Sequence, residues 1–183
     1  MNYDLLSELL LCAVALFITW RELKTRPGIA VATLLIGVAA LLGALIFAGI
    51  SQAHGPHEFV SLLAGSAALP LLALSLGWPD GALASRIRAS VSFFLVASAL
   101  CLWMVEVLQL APWRLCIPAL ASLVILFGAI RSKRPAAMLG ALVLLLCFTL
   151  SLLQIAIEPL NSDQQLHVLM ALALLLLTRR ASR

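Results

Sequence analysis

Apolar residues form long, nearly continuous runs along this chain, and short polar segments separate them. The runs do not alternate between apolar and polar positions, which excludes the pattern of a transmembrane β-barrel. A bilayer core is about 30 Å thick, so a helix that crosses it needs roughly 20 apolar residues. The pattern predicts an all-α integral membrane protein with seven transmembrane helices in one domain, residues 1–183. The predicted spans are residues 4–20, 29–50, 59–78, 91–110, 113–130, 136–157 and 164–178.

Local signals refine these spans. Pro70 lacks the backbone donor that would bind the carbonyl of Ser66, so we expect a kink in the third span. The segment 79–81 reads Pro-Asp-Gly and predicts a turn. Asp163 is the expected N-cap of the seventh span, which is the shortest.

Basic residues gather on one side of the membrane in a seven-span arrangement. Of the 12 Lys and Arg residues, all except Arg114 fall in the first, third and fifth loops or at the C-terminus. The positive-inside rule then places the N-terminus outside and the C-terminus inside. This bias and the short loops predict a multi-pass protein of a bacterial inner membrane. Its basic residues are expected to meet lipid headgroups and not nucleic acid.

Recurring residues predict an internal repeat. The pair Arg26-Pro27 recurs as Arg134-Pro135, and His57 recurs as His167. Two parallel three-helix repeats joined by a linker helix would give this 3-1-3 order, although successive membrane helices of similar length can also align by chance. The plan resembles that of the SWEET sugar transporters in architecture only, because their Pro-Gln loop signature is absent. The predicted repeats are residues 1–78 and 112–183, and the linker is residues 91–110.

All three histidines are predicted on the outer face, together with several acidic residues. Imidazole and carboxylate groups bind zinc and copper, and two histidines can hold a haem. The simpler interpretation is that these histidines meet water and headgroups, since the chain has no HxxxH, HExxH or CxxC motif. The candidate metal ligands are His54, His57 and His167, and the candidate acid/base residues are Glu58, Glu158 and Asp163.

Glu106 carries the most costly charge in the predicted spans. A charge at the centre of a membrane helix costs roughly 2.5–3.5 kcal/mol. We expect Glu106 to face the bundle interior or a wet cavity, or to pair with Arg114 across the turn between spans four and five. Glu8 is a second candidate for a buried acid. Gln154 and Glu158 would share one face of span six and extend a polar outer pocket.

Three hypotheses about function follow from these patterns. The first is an outward-facing pocket that binds a metal or haem and hydrolyses a lipid-like substrate. The second is a transporter of a small solute or ion, with Glu106 and Glu8 along its path. The third is a non-catalytic partner subunit of a membrane complex or oligomer. A retinal Schiff base is excluded, because neither Lys24 nor Lys133 lies inside a predicted span.

Overall fold

The computed structural model describes residues 2–110, 113–158 and 160–179, and helices joined by short links make up this part of the chain. No strand occurs within these ranges, so the predicted all-α class is confirmed. We number the helices in chain order. They are α1 (Tyr3–Glu22), α2 (Pro27–Phe47), α3 (Ser51–Gly77), α4 (Ala82–Ser85), α5 (Ile87–Val107), α6 (Trp113–Arg131), α7 (Pro135–Leu152) and α8 (Ser162–Thr178).

Five of these helices, α1, α2, α3, α5 and α7, are long and apolar enough to cross a bilayer. The apolar part of α6, Cys116–Arg131, and the apolar helix α8 are shorter. Helix α4 is a single turn that follows the predicted bend at residues 79–81. Several apolar helices of this length support a membrane protein.

Six helices form a closed ring. Each packs against the next in the order α1, α2, α3, α6, α7, α8, and α8 returns to α1. Helix α5 lies outside the ring, mainly against α2 and α3. Large side chains with almost no exposed surface fill the ring, among them Ile18, Ile29, Leu72, Leu144 and Leu174. The ring therefore has an apolar middle.

Helix α3 is interrupted by a π-helical turn at Ala64–Ala68, where the Leu69 N–H binds the carbonyl of Ala64. The turn comes just before Pro70, the residue for which the sequence predicts an irregularity. A π turn shifts the hydrogen-bond register by one residue, and this accommodates the donor that proline lacks. A second π turn, Trp103–Val107, ends α5.

Several helix ends differ from the predicted spans; for example, α3 begins at Ser51 and α5 at Ile87, whereas the predicted spans begin at residues 59 and 91. At two further points the structure shows the cause of the difference. Asn161 caps α8 and forms a reciprocal capping box with Gln164, so Asp163 lies in the first turn and is not the cap. Helix α7 stops at Leu152, although the apolar run continues to residue 157. Gln154 takes a left-handed conformation with φ 54°, and the Ile155 N–H closes back on the carbonyl of Leu150. No glycine marks this Schellman-type end in the sequence.

A buried ionic group joins α1 to the end of α8. The Glu22 carboxylate is fully buried and accepts hydrogen bonds from Arg21 Nε at 2.8 Å and Arg26 Nε at 2.7 Å. Both guanidinium groups also donate to the backbone carbonyl of Thr178, at 2.8 and 3.4 Å. They thereby satisfy a carbonyl that the last turn of α8 leaves without a helical partner.

The link between α3 and α5 docks against α2 at a glycine. A Cβ atom on Gly28 would lie 2.1 Å from the Leu83 carbonyl oxygen and 2.2 Å from Ser75 Oγ. That carbonyl also accepts hydrogen bonds from Ser90 Oγ at 2.8 Å and from Ser75 Oγ at 3.4 Å. Close approach of backbones at small residues is a common way to pack membrane helices.

We predict that Gly28→Ala destabilises the protein by about 1–3 kcal/mol, because its methyl group collides with backbone. Thermal unfolding in detergent, followed by circular dichroism, measures this as a lower midpoint. Gly55→Ala is the matched control, since its Cβ would meet nothing within 4 Å. An unchanged midpoint in Gly28→Ala would contradict the close approach of α2 and the α4 segment.

Candidate functional site

A half-open cavity of about 180 Å³ lies at one end of the ring, between α1, α2, α3, α7 and α8. The cavity exists because several of the side chains around it are small. They are Ala39 and Ala40 of α2, and Ser61, Ala64 and Gly65 of α3. The ionisable side chains in its lining are Glu8 and His167. We call this end of the ring the histidine end.

Glu8 is the buried acid of this cavity, with only 2% of its surface exposed. Its Oε1 lies 3.5 Å from His167 Nε2. Its Oε2 is buried and has no hydrogen-bond partner in the described part of the chain. The carboxylate rests against Gly43, where a Cβ atom would lie 2.0 Å from Oε1. A glycine at this position of α2 therefore makes room for the acid.

His167 lies between two polar groups of α1. Its Nδ1 is 3.5 Å from Ser7 Oγ, whereas its Nε2, on the other side of the imidazole, faces Glu8. Ser7 Oγ itself donates a hydrogen bond of 2.9 Å to the backbone carbonyl of Asp4. The imidazole thus connects α8 to α1 through both of its nitrogens.

His57 reaches the same region from α3. Its Nδ1 lies 3.0 Å from the backbone carbonyl of Ala39, a residue of the cavity lining. The two histidines that the sequence pairs as repeat equivalents, His57 and His167, therefore both contact the surroundings of one cavity. They do so from different walls, because one is bound to α2 and the other faces α1.

Asp4 fixes the start of α1 to the start of α8 near this cavity. Its Oδ1 accepts hydrogen bonds from Asn161 Nδ2 at 3.0 Å and from Gln164 Nε2 at 2.8 Å. Gln164 also completes the capping box of α8. The same side chain therefore shapes the helix end and attaches it to α1, one turn of α1 away from Glu8.

The predicted three-histidine metal site is not assembled in the described ranges. No group of three or more His, Cys, Asp or Glu side chains there is arranged to hold a metal ion. His54 is exposed at the start of the α-helical part of α3, whereas His57 and His167 are engaged with α2 and α1. The candidate acid/base residues are also exposed and make no hydrogen bond or ion pair within the described chain. They are Glu58, Glu158 and Asp163.

Glu106 does not face the interior, so that expectation is wrong. Its side chain is 62% exposed and lies 3.8 Å from Arg114, itself 59% exposed. The alternative expectation, an ion pair across the turn between α5 and α6, is confirmed. Glu106 is exposed because it sits on the final π turn of α5, the helix that lies outside the ring.

Gln154 and Glu158 do not share a helix face, because α7 ends before them. Gln154 is exposed and donates to the carbonyl of Ser151 at 2.9 Å. It borders, together with Arg114, a surface cavity of about 510 Å³ between α6 and α7. The cavity that Gln154 borders therefore differs from the one that holds Glu8, although Phe148 and Leu166 line both.

A second cavity of about 460 Å³ lies at the other end of the ring, where α3, α6 and α8 end and α7 begins. Arg26, Arg131 and Arg134 line it, so we call this the arginine end. In the sequence these arginines predict the orientation of the chain, and Arg26 and Arg134 also mark the internal repeat, but no pattern there predicts a cavity.

An apolar layer separates the two cavities. Leu72, Leu144 and Leu174 have no exposed surface and belong to one core cluster. Along α3, Leu72 lies between Leu69 of one cavity and Ser75 of the other. Leu144 and Leu174 occupy the corresponding places on α7 and α8. Packed leucines therefore lie between the two cavities.

Comparison with known protein families, with characterised proteins and with solved structures finds no match to this chain. The interpretation of the site therefore depends on its own geometry, namely a buried carboxylate and an imidazole inside a helical ring. Ionisable residues inside membrane bundles commonly mark ion paths or proton relays.

We predict that Asp4→Ala destabilises the protein by about 1–2 kcal/mol, since two hydrogen bonds to a charged group are lost. The thermal midpoint in detergent measures the effect. Glu58→Ala removes an exposed carboxylate at the same end of the ring and serves as the control. Equal midpoints for the two variants would contradict the attachment of α1 to α8 through Asp4.

Proposed function

We propose that this protein is a proton-linked transporter of a small solute or ion, and that Glu8 and His167 bind the proton. The observation that carries this proposal is the Glu8 carboxylate, buried beside His167 in a cavity with one oxygen unpartnered. An ionisable group in such surroundings is expensive to maintain, so membrane proteins keep it where its charge is used. Gly43, which leaves space for it, supports the same interpretation.

The chemistry of the pair suits a proton carrier. A carboxylate and an imidazole 3.5 Å apart can share one proton. Gain of a second proton, or loss of the shared one, changes the net charge of the cavity. In a medium of low polarity, this change alters the free energy of any charged or polar solute beside it. Proton binding and solute binding are then linked through one small volume.

The arrangement of cavities suits alternating access. Two cavities at opposite ends of one ring, separated by a leucine layer, place a barrier in the middle of the molecule. The π turn of α3 contributes Ala64 and Gly65 to the lining of the histidine-end cavity. Such turns are frequent at functional sites and hinges. We propose that α3 moves at this turn when the barrier opens.

We further propose that α6 and α8 also cross the bilayer, which gives seven spans in a bacterial inner membrane. The N-terminus then lies outside and the C-terminus inside. The proposal is supported by the basic residues, since Arg26, Arg131 and Arg134 gather at one end of the ring. The histidine end then faces outward.

The order of helices in the ring supports the predicted 3-1-3 repeat. Helices α1, α2 and α3 follow one another around one half of the ring, and α6, α7 and α8 follow in the same sense around the other half. Helix α5 lies outside the ring, as a linker would. We propose that the two units are parallel repeats around the cavity, as in transporters built on an axis along the membrane normal. The hypothesis of a non-catalytic partner subunit stays a prediction.

We predict that Glu8→Gln abolishes proton-dependent charge movement. Proteoliposomes adsorbed on a sensor are exposed to a pH jump, and the resulting current is recorded. The wild type is expected to give a transient current, because protons bind inside the membrane. Glu106→Gln is the matched control, since it makes the same change of group on an exposed side chain, and it should retain the current.

A current of equal size in Glu8→Gln and in the wild type would reject the proton-linked proposal. Metal analysis of the same preparations distinguishes the proton-linked transporter from the metal-dependent hydrolase. Stoichiometric zinc or copper, lost in His167→Ala, would favour the hydrolase instead. A Soret band in the absorption spectrum would favour a haem-binding protein.

We predict that reporter fusions at the two ends of the chain report opposite compartments. Alkaline phosphatase, which is active only outside, should work at the N-terminus, and a green fluorescent protein should fluoresce at the C-terminus. This result follows from an odd number of spans and from the charge bias. Activity of both reporters in one compartment would contradict the seven-span proposal.

A further inference from the structure

We infer that the arginine-end cavity is a binding site for the phosphate group of an anionic ligand. The ligand is a phosphate ester, supplied either by the headgroup of an anionic phospholipid or by a soluble molecule. This inference goes beyond the proposed transport function and does not depend on it, because Glu8 and His167 are absent from the lining of this cavity.

Three arginines line the cavity, Arg26, Arg131 and Arg134. Each guanidinium carries five N–H donors in a planar fork that matches phosphate oxygens in pairs. Asp80 contributes the acidic side chain of the lining, so the cations outnumber the carboxylates. An anion that enters would meet a net positive charge.

The donors of these arginines are only partly used. Arg26 binds Glu22 and the carbonyl of Thr178, and Arg134 donates to the carbonyl of Arg179. Arg131 is exposed and makes no hydrogen bond or ion pair within the described chain. Arg131 is therefore the lining arginine whose donors the described residues leave unused.

The start of α7 adds backbone donors. Arg134 is the N-cap residue and provides no side-chain cap, and Pro135 opens the helix. The first N–H groups of a helix lack helical partners and favour an anion. Ala137 of this first turn lines the cavity. The first turn of α7 therefore borders the cavity beside the three arginines, and a helix N-terminus favours an anion near it.

Topology alone does not explain the cluster. The positive-inside rule requires basic residues at this end, but it does not require that they line a concavity. Lys24, Lys133, Arg86 and Arg88 lie outside the lining, although all belong to the same set of loops. The three lining arginines are thus distinguished by position from their neighbours.

The rest of the lining suits a phosphate that is attached to a less polar group. Trp78, Leu76, Ile125 and Leu177 form apolar walls. Gly77 and Gly128 approach so closely that a Cβ on Gly128 would lie 3.2 Å from the Gly77 Cα. Basic pockets between helices at this end of membrane proteins are typical binding sites of anionic lipid headgroups.

The test uses the full-length protein in nanodiscs and has two arms. In nanodiscs of phosphatidylcholine alone, glycerol 3-phosphate is titrated by calorimetry. In nanodiscs that mix phosphatidylcholine and phosphatidylglycerol, the lipid retained by the protein is identified by native mass spectrometry. Binding in the first arm assigns a soluble phosphate ester, and retention of phosphatidylglycerol in the second arm alone assigns a lipid.

Arg131→Gln is expected to weaken the observed binding about tenfold, because one bidentate guanidinium contact is lost. Arg134→Gln should weaken it similarly. Lys133→Gln removes the same charge from the same loop but lies outside the lining, and it should change binding less than about twofold. Glu8→Gln should also leave phosphate binding intact, which separates this site from the transport proposal.

Two results would overturn the inference. One is that the wild type binds neither glycerol 3-phosphate nor phosphatidylglycerol. The other is an equal loss in Lys133→Gln and Arg131→Gln, which would show a diffuse attraction to surface charge. Thermal midpoints of all variants, measured in the same nanodiscs, verify that each protein is folded.

Discussion

The contact between α1 and α8 closes the ring, and the cavities and the sites depend on it. Lipid tails are as apolar as leucine, so packing and polar links must hold such helices together. This seam has polar links at three levels. Asp4 binds the start of α8, and the Glu8–His167 pair lies one turn further along α1. At the other end, Arg21 binds both the Glu22 carboxylate and the backbone carbonyl of Thr178.

Small residues decide where the ring is dense and where it is hollow. Gly140 lets α7 approach α8 so closely that a Cβ atom would lie 2.9 Å from the Leu177 backbone nitrogen. Gly43 instead leaves room for a carboxylate, and Gly65 lines the cavity beside the π turn of α3. The same residue type thus tightens one interface and opens another, according to what faces it. The leucine layer fills the remaining middle.

Glu8 and Glu106 show that the location of an acidic residue decides whether its role is structural or chemical. Both are acids in strongly apolar segments. Glu106 lies on the surface of α5 and pairs with Arg114 over 3.8 Å, a contact of exposed groups that contributes little to stability. Glu8 lies inside the ring beside an imidazole and a cavity. The proposed proton chemistry belongs to the buried acid, while the exposed acid closes a turn.

The sequence by itself determined the helical class, most helix positions and the interruption near Pro70. Run length, proline and charge are local properties of the chain, so they can be read along it. Tertiary structure alone decided that Glu8 meets His167, that His54 stays apart, and that α5 lies outside the ring. Helices that are apolar on all sides carry little periodic signal of which face points inward. That choice depends on which neighbours pack against each helix.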